Sequence, residues 1–99
     1  MKIGIFAIHR ATGIKKLEEI IGEYKFKEVK RFVKGQNEAF AELYDGTYYF
    51  TAPASENSKG CRMDKAYIEC GVSNDIVNII IRPLLCISKL SYEEQIEFF

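Results

Sequence analysis

Two short runs place reactive groups at the ends of apolar segments. The run KAYIEC brings Glu69 and Cys70 to the end of a short strand. The run HRATGIKK gathers His9, Arg10, Lys15 and Lys16 where an apolar strand gives way to a helix. A carboxylate at a strand end can hold a divalent metal. Lysines at a helix start can meet an anion, because the first helical turn presents N–H groups without intrahelical partners. Arg10, Lys15, Lys16, Lys30, Arg31 and Arg62 are the cations that could contact the phosphates of a nucleotide or nucleic acid. His9 is the only histidine, so a Cys–His nucleophile pair would have to join it to Cys61, Cys70 or Cys86. A histidine beside an arginine at a strand end more commonly marks a loop than a catalytic base. The spacings of the cysteines and His9 fit no common zinc pattern, and no metal or cofactor is expected. Cys70 and Cys86 lie in apolar contexts and read as core residues, whereas Cys61, between Gly60 and Arg62, reads as an exposed thiol.

The elements that would position these groups follow from periodicity. Residues 2–8, KIGIFAI, read as a buried strand rather than a signal peptide, since no small-residue cleavage site follows them. Thr12 suits the cap of a helix from about Gly13 to Glu23, whose Ile14, Leu17, Ile20 and Ile21 make one apolar face. Glu18, Glu19 and Glu23 then fall on its solvated face. The β-branched and aromatic content of Tyr24–Lys34 favours strand over helix. Gly35-Gln36-Asn37 is a turn signal, and EAFAELY and TYYFTAP read as a hairpin across Asp45-Gly46, with Pro53 ending the second strand.

A polar loop over Ala54–Asp64 leads to a strand over Lys65–Glu69. Ser73 can cap a helix beginning near Asn74, with Ile76, Ile79 and Ile80 as its apolar face and Pro83 as its end. The capping-box pattern Ser91…Glu94 predicts a last short helix over EEQIEFF. The expected fold is α/β or α+β: one domain over residues 1–99, with a sheet of about five strands, one β-hairpin and two to three helices.

Composition narrows the class further. The 47% hydrophobic and 13% aromatic residues are globular values, and no apolar run approaches a membrane span. Three cysteines without a CxxC pair favour a reducing, cytoplasmic setting. The formal net charge of zero is unevenly spread. Residues 1–34 carry nine Lys/Arg against four Asp/Glu, and residues 35–99 carry five against ten. The basic third is either the solvated side of one helix and one strand or a patch for phosphate, nucleic acid or an acidic partner.

The central stretch carries a resemblance. Asp45-Gly46-Thr47, Pro53-Ala54-Ser55, Lys59-Gly60-Cys61-Arg62 and Asp64 follow a strand, an HRATG loop and a helix. In order and spacing, over residues 1–85, this resembles a miniature of the P-loop ATPase core of phage terminase large subunits. The resemblance implies a phosphate-gripping loop after the first strand and a pair of acids after a later one. The residues depart from both. If Gly13 is the second glycine of GxxxxGK[ST], the first glycine falls on Ile8, the lysine on Ile14 and the hydroxyl on Lys15. Glu69 can stand for the first acid, but Cys70 cannot orient a water as the second would.

ATP hydrolysis is therefore not expected. The expected function is that of a small phage or mobile-element protein that binds a protein partner stoichiometrically, as an inhibitor or regulator of a host or phage machine. The alternative is a nucleic-acid- or nucleotide-phosphate-binding module. Tyr44, Tyr48, Tyr49 and Phe50 would serve the alternative by stacking bases, or would simply form core and cross-strand pairs. A homodimer through an exposed hairpin edge is compatible with either function.

Overall fold

The computed structural model describes residues 1–35, 39–54, 62–85 and 94–99. They form an α+β arrangement around one six-stranded mixed sheet. In chain order the elements are β1 (Lys2–Ala7), α1 (Arg10–Gly22), a 3-10 turn (Phe26–Glu28), β2 (Val29–Lys34), β3 (Ala39–Leu43), β4 (Tyr48–Pro53), β5 (Lys65–Ile68), a wide π-type helical segment (Ile76–Ile81), a 3-10 turn (Arg82–Leu84) and β6 (Ile96–Phe98). The strands lie in the order β2-β3-β4-β1-β5-β6. β1 is parallel to both β4 and β5, β6 is parallel to β5, and β2-β3-β4 is an antiparallel meander.

From Ile3 to Ala7 β1 is apolar and buried because both of its faces are covered, as expected of a central parallel strand. On one face Ile3 and Ile5 join Leu17, Ile20 and Ile21 of α1, together with Ala39, Ala41, Leu43 and Tyr49. On the other, Phe6 joins Met63, Ala66, Ile68, Val77 and Ile81. β5 divides with a period of two. Ala66 and Ile68 are buried on the π-segment side, while Tyr67 packs on the α1 side.

Several expectations hold. The hairpin turns at Asp45-Gly46: Gly46 takes φ +94°, which favours glycine, and the Asp45 carboxylate accepts the Thr47 N–H at 2.8 Å. That hydrogen bond holds the Asp45 carboxyl below its ordinary range. β4 ends at Pro53, and Tyr24–Lys34 supplies a strand after a short turn.

Others are corrected. α1 starts at Arg10 rather than after Thr12, with His9 at the cap position and no side-chain cap. The second helical segment buries Val77 and Ile81, four apart; of the expected face, Ile76 packs against this core only partly buried, Ile80 is half-buried, and Ile79 is 67% exposed. Ser73 does accept the Ile76 N–H, at 3.3 Å, but the widened turn shifts which side chains face the sheet. The expected last helix is β6, because parallel pairing with β5 (Ala66↔Ile96, Ile68↔Phe98) outweighs the local capping signal. Cys70 is exposed in the turn after β5, not in the core. The Gly35-Gln36-Asn37 turn, most of the Ala54–Asp64 loop, Cys61, Cys86 and Ser91 lie in whole or in part outside the described residues.

Candidate functional site

In open sheets with parallel strands, ligands bind outside the carboxyl ends of the strands, where neighbouring connections diverge. Here that place is the edge where β1, β4 and β5 end, at Ala7, Pro53 and Ile68. A cleft of about 280 Å³ opens there between β1, β4 and the first turns of α1, lined by Ala7, Ile8, Arg10, Gly13, Thr51, Ala52 and Pro53. Gly13 lets the helix lie close: a Cβ added to it would stand 3.2 Å from the Ala7 Cβ.

The groups lining this cleft are largely committed to partners in the fold. Thr51 donates its hydroxyl to the Ala39 carbonyl at 3.2 Å, and Arg10 donates to the Gly35 carbonyl, tying the start of α1 to the end of β2. Glu69, beyond the end of β5, accepts the Ile8 N–H at 2.6 Å. The carboxylate that would face a metal thus fastens the loop that would have to cradle phosphate. Among the described residues no group of three or more His, Cys, Asp or Glu side chains could hold a metal ion.

The six predicted cations do not converge. Arg10 and Lys15 lie exposed near the start of α1. Lys16 turns along the helix, 3.8 Å from Glu19 and 5.6 Å from the ring centres of both Tyr67 and Phe99. Lys30 and Arg31 sit on β2, toward the opposite end of the sheet, the first 3.8 Å from Glu42 and the second 5.2 Å over the Phe40 ring. Arg62 is exposed just before β5, also at the end away from the cleft. Lys65 lies 4.7 Å over the Tyr67 ring. Burial opposes its charge, but its hydrogen bond to Glu97 at 3.1 Å and the nearby Tyr67 outweigh that, so its pKa is raised. This pair, between β5 and β6, serves the sheet.

A second place stands out at the other sheet edge. Among the described residues β2 pairs with β3 on one side only. Phe26, in the turn before it, is 97% exposed. Beside it an apolar groove of about 410 Å³ runs between the end of α1 and β2, lined by Ile21, Tyr24, Phe26, Val29, Lys30, Arg31 and Phe32. Five cations border this edge (Lys25, Lys27, Lys30, Arg31 and Lys34) against the single acid Glu28 in the same stretch. Lys34 pairs with Glu18 at 3.1 Å and Lys30 with Glu42. Lys25 and Lys27 have no carboxylate within ion-pairing distance among the described residues. Sequence reading missed Phe26 because its aromatic neighbours suggested a packed strand. The concentration of lysine around it was the available signal.

On the sheet face opposite α1, Phe40, Tyr48 and Phe50 form a stacked ladder, with ring centres 5.7 and 6.4 Å apart. Arg31 and Lys2 lie over its rings. Tyr49 points to the other face and is core, and Tyr44 is exposed near the hairpin turn, so the four predicted stacking aromatics do not share one surface. No described helix is long and apolar enough to cross a membrane. Compared with protein-family models, with curated proteins and with solved structures, the chain matches none.

Proposed function

We propose that this chain is a non-catalytic, cytoplasmic binding protein that forms a stoichiometric complex with a protein partner and so regulates or inhibits a larger phage or host machine. The observation that carries this reading is the β2 edge: an almost fully exposed phenylalanine in the turn before β2, beside an apolar groove, with β2 paired on one side only among the described residues and bordered by cations. An isolated ring at that exposure is ordinary, but a ring, a groove and a one-sided charge on the same edge are the ingredients of an interface. The bond from Ile8 to Glu69 supports the non-catalytic part, since it commits the acid to the loop.

The test is capture from phage-infected and uninfected bacterial lysates on the immobilised protein, with and without nuclease. The expected result is a protein bound at a fixed molar ratio and retained after nuclease treatment. Capture that disappears with nuclease would refute the reading. It would instead favour the second one, a nucleic-acid-binding module, for which the ladder Phe40–Tyr48–Phe50 with Arg31 and Lys2 speaks. That module would bind single-stranded oligonucleotides with an affinity that falls steeply with salt.

A further inference from the structure

We infer that the β2 edge recognises its partner by strand addition, taking an extended protein segment in which acidic and apolar residues alternate; this rests on the protein-binding reading above. In a ladder, alternate residues turn their N–H and C=O groups toward one neighbour or the other. Among the described residues β2 pairs only with β3, so about three of its six residues present backbone groups outward there. The ladder is regular from Arg31 to Lys34 and irregular between Val29 and Arg31, which places the clean docking length toward Lys34. An added strand would project every second side chain to one face. Beside β2 one face offers the groove under Phe26 and Phe32, and the flanks offer Lys25 and Lys27, both exposed. Apolar residues would fill the groove, and the intervening acids would meet the lysines.

Charge selects among the possible occupants. A second copy of this chain would set the five cations of one β2 region against the five of another, which disfavours self-pairing. A nucleic acid would meet the cations but has no use for a row of backbone donors and acceptors or for a narrow apolar groove. An acidic strand uses all three features.

The experiment selects binders from a displayed library of random peptides about ten residues long, the length needed to cover a strand of this size. The selected peptides are then tested on the full chain. Enrichment in alternating Asp/Glu and apolar residues is expected, with amide shifts perturbed along Val29–Lys34. N-methylation of alternate peptide amides should abolish binding. Phe26→Ala, and separately Lys25→Glu with Lys27→Glu, should each weaken it about tenfold. All three positions are exposed, so unchanged unfolding midpoints will show that the variants fold. Selected peptides without excess acid, shifts that map elsewhere, unimpaired binding by these variants, tolerance of N-methylation, or self-association through β2 would each overturn the inference. If lysate capture succeeds but the variants capture the same partner equally well, only the strand-addition inference fails. If no protein is captured at a fixed ratio, the reading beneath it fails.

Discussion

Replacing Tyr24 or Tyr49 by phenylalanine should have unequal costs, although each substitution removes the same hydrogen bond. The two hydroxyl oxygens are 2.7 Å apart, and the rings meet edge-on at 6.2 Å. Tyr49 is 4% exposed on β4, under α1, whereas Tyr24 is only partly buried beyond the end of the helix. In Tyr49→Phe the surviving Tyr24 hydroxyl can turn to water, so the loss should be that of an ordinary bond, about 1 kcal/mol. In Tyr24→Phe the Tyr49 hydroxyl is left in the core without its partner, and the cost should rise to about 2–3 kcal/mol. The double variant removes both polar groups and should lose less than the sum, leaving a coupling of about 1 kcal/mol or more.

Alkaline pH gives an independent arm. Burial first, and the Tyr24 hydrogen bond second, push the Tyr49 phenol well above its ordinary value. The folded chain therefore keeps this proton where the unfolded chain, with a tyrosine pKa of about 10, gives it up. The resulting stability is complete below about pH 10 and declines above it, and Tyr49→Phe should remove that part of the decline. Urea unfolding at pH 7 and at a series of pH values above 9 measures both arms. Equal costs for the two single variants, or strict additivity in the double, would refute this account of the pair.

Three further outcomes are expected. Gly4→Ala should destabilise by about 1–3 kcal/mol, because a Cβ there would stand 2.7–2.9 Å from Met63 Sδ and from the rings of Phe6 and Phe50; thermal unfolding reads it, and a neutral result would mean that this face has slack. Glu69→Gln should cost about 1 kcal/mol and speed hydrogen exchange at the Ile8 amide, since the charge that strengthens that bond is lost; unchanged exchange would show that the loop after β1 is held by other contacts. Gly46→Ala should cost about 1 kcal/mol through its φ of +94° although its Cβ would meet nothing within 4 Å, and denaturant titration separates this backbone effect from packing.

What could be read in advance was local. Asp45-Gly46 announces the hairpin because a two-residue signal is enough, and KIGIFA announces a buried strand because nothing polar interrupts it after Lys2. What could not be read depends on partners far along the chain. Ile96–Phe98 pairs with β5 across a gap that no local pattern spans, so its capping-box neighbours pointed to a helix. Val77 is buried and Ile79 exposed because the segment winds more widely than an α-helix, a choice made by the sheet beneath it. The candidate site divides in the same way. Arg10, Lys15, Lys16, Lys30, Arg31 and Arg62 were legible as cations, but their separation between two ends of the sheet follows from strand order. That β2 has a single neighbour among the described residues follows from strand order too, and no residue of β2 records it.

The position of β1 bears on how the chain assembles. This strand comes before all its neighbours in the sequence and sits between two of them in the sheet. The Lys2 N–H meets the Asp64 carboxylate 62 positions later, at 2.8 Å. During synthesis β1 leaves the ribosome with neither ladder available, and it waits through the emergence of α1 and the meander before β4 and then β5 can flank it. The antiparallel strands, joined by short connections, can form while it waits; the parallel pairs carry the entropic cost of closing long loops. Over that interval the stretch KIGIFAI is an exposed apolar segment with high aggregation tendency. The helix that follows it immediately is the first element able to cover it, so α1 guards its own sheet before there is a sheet to pack against.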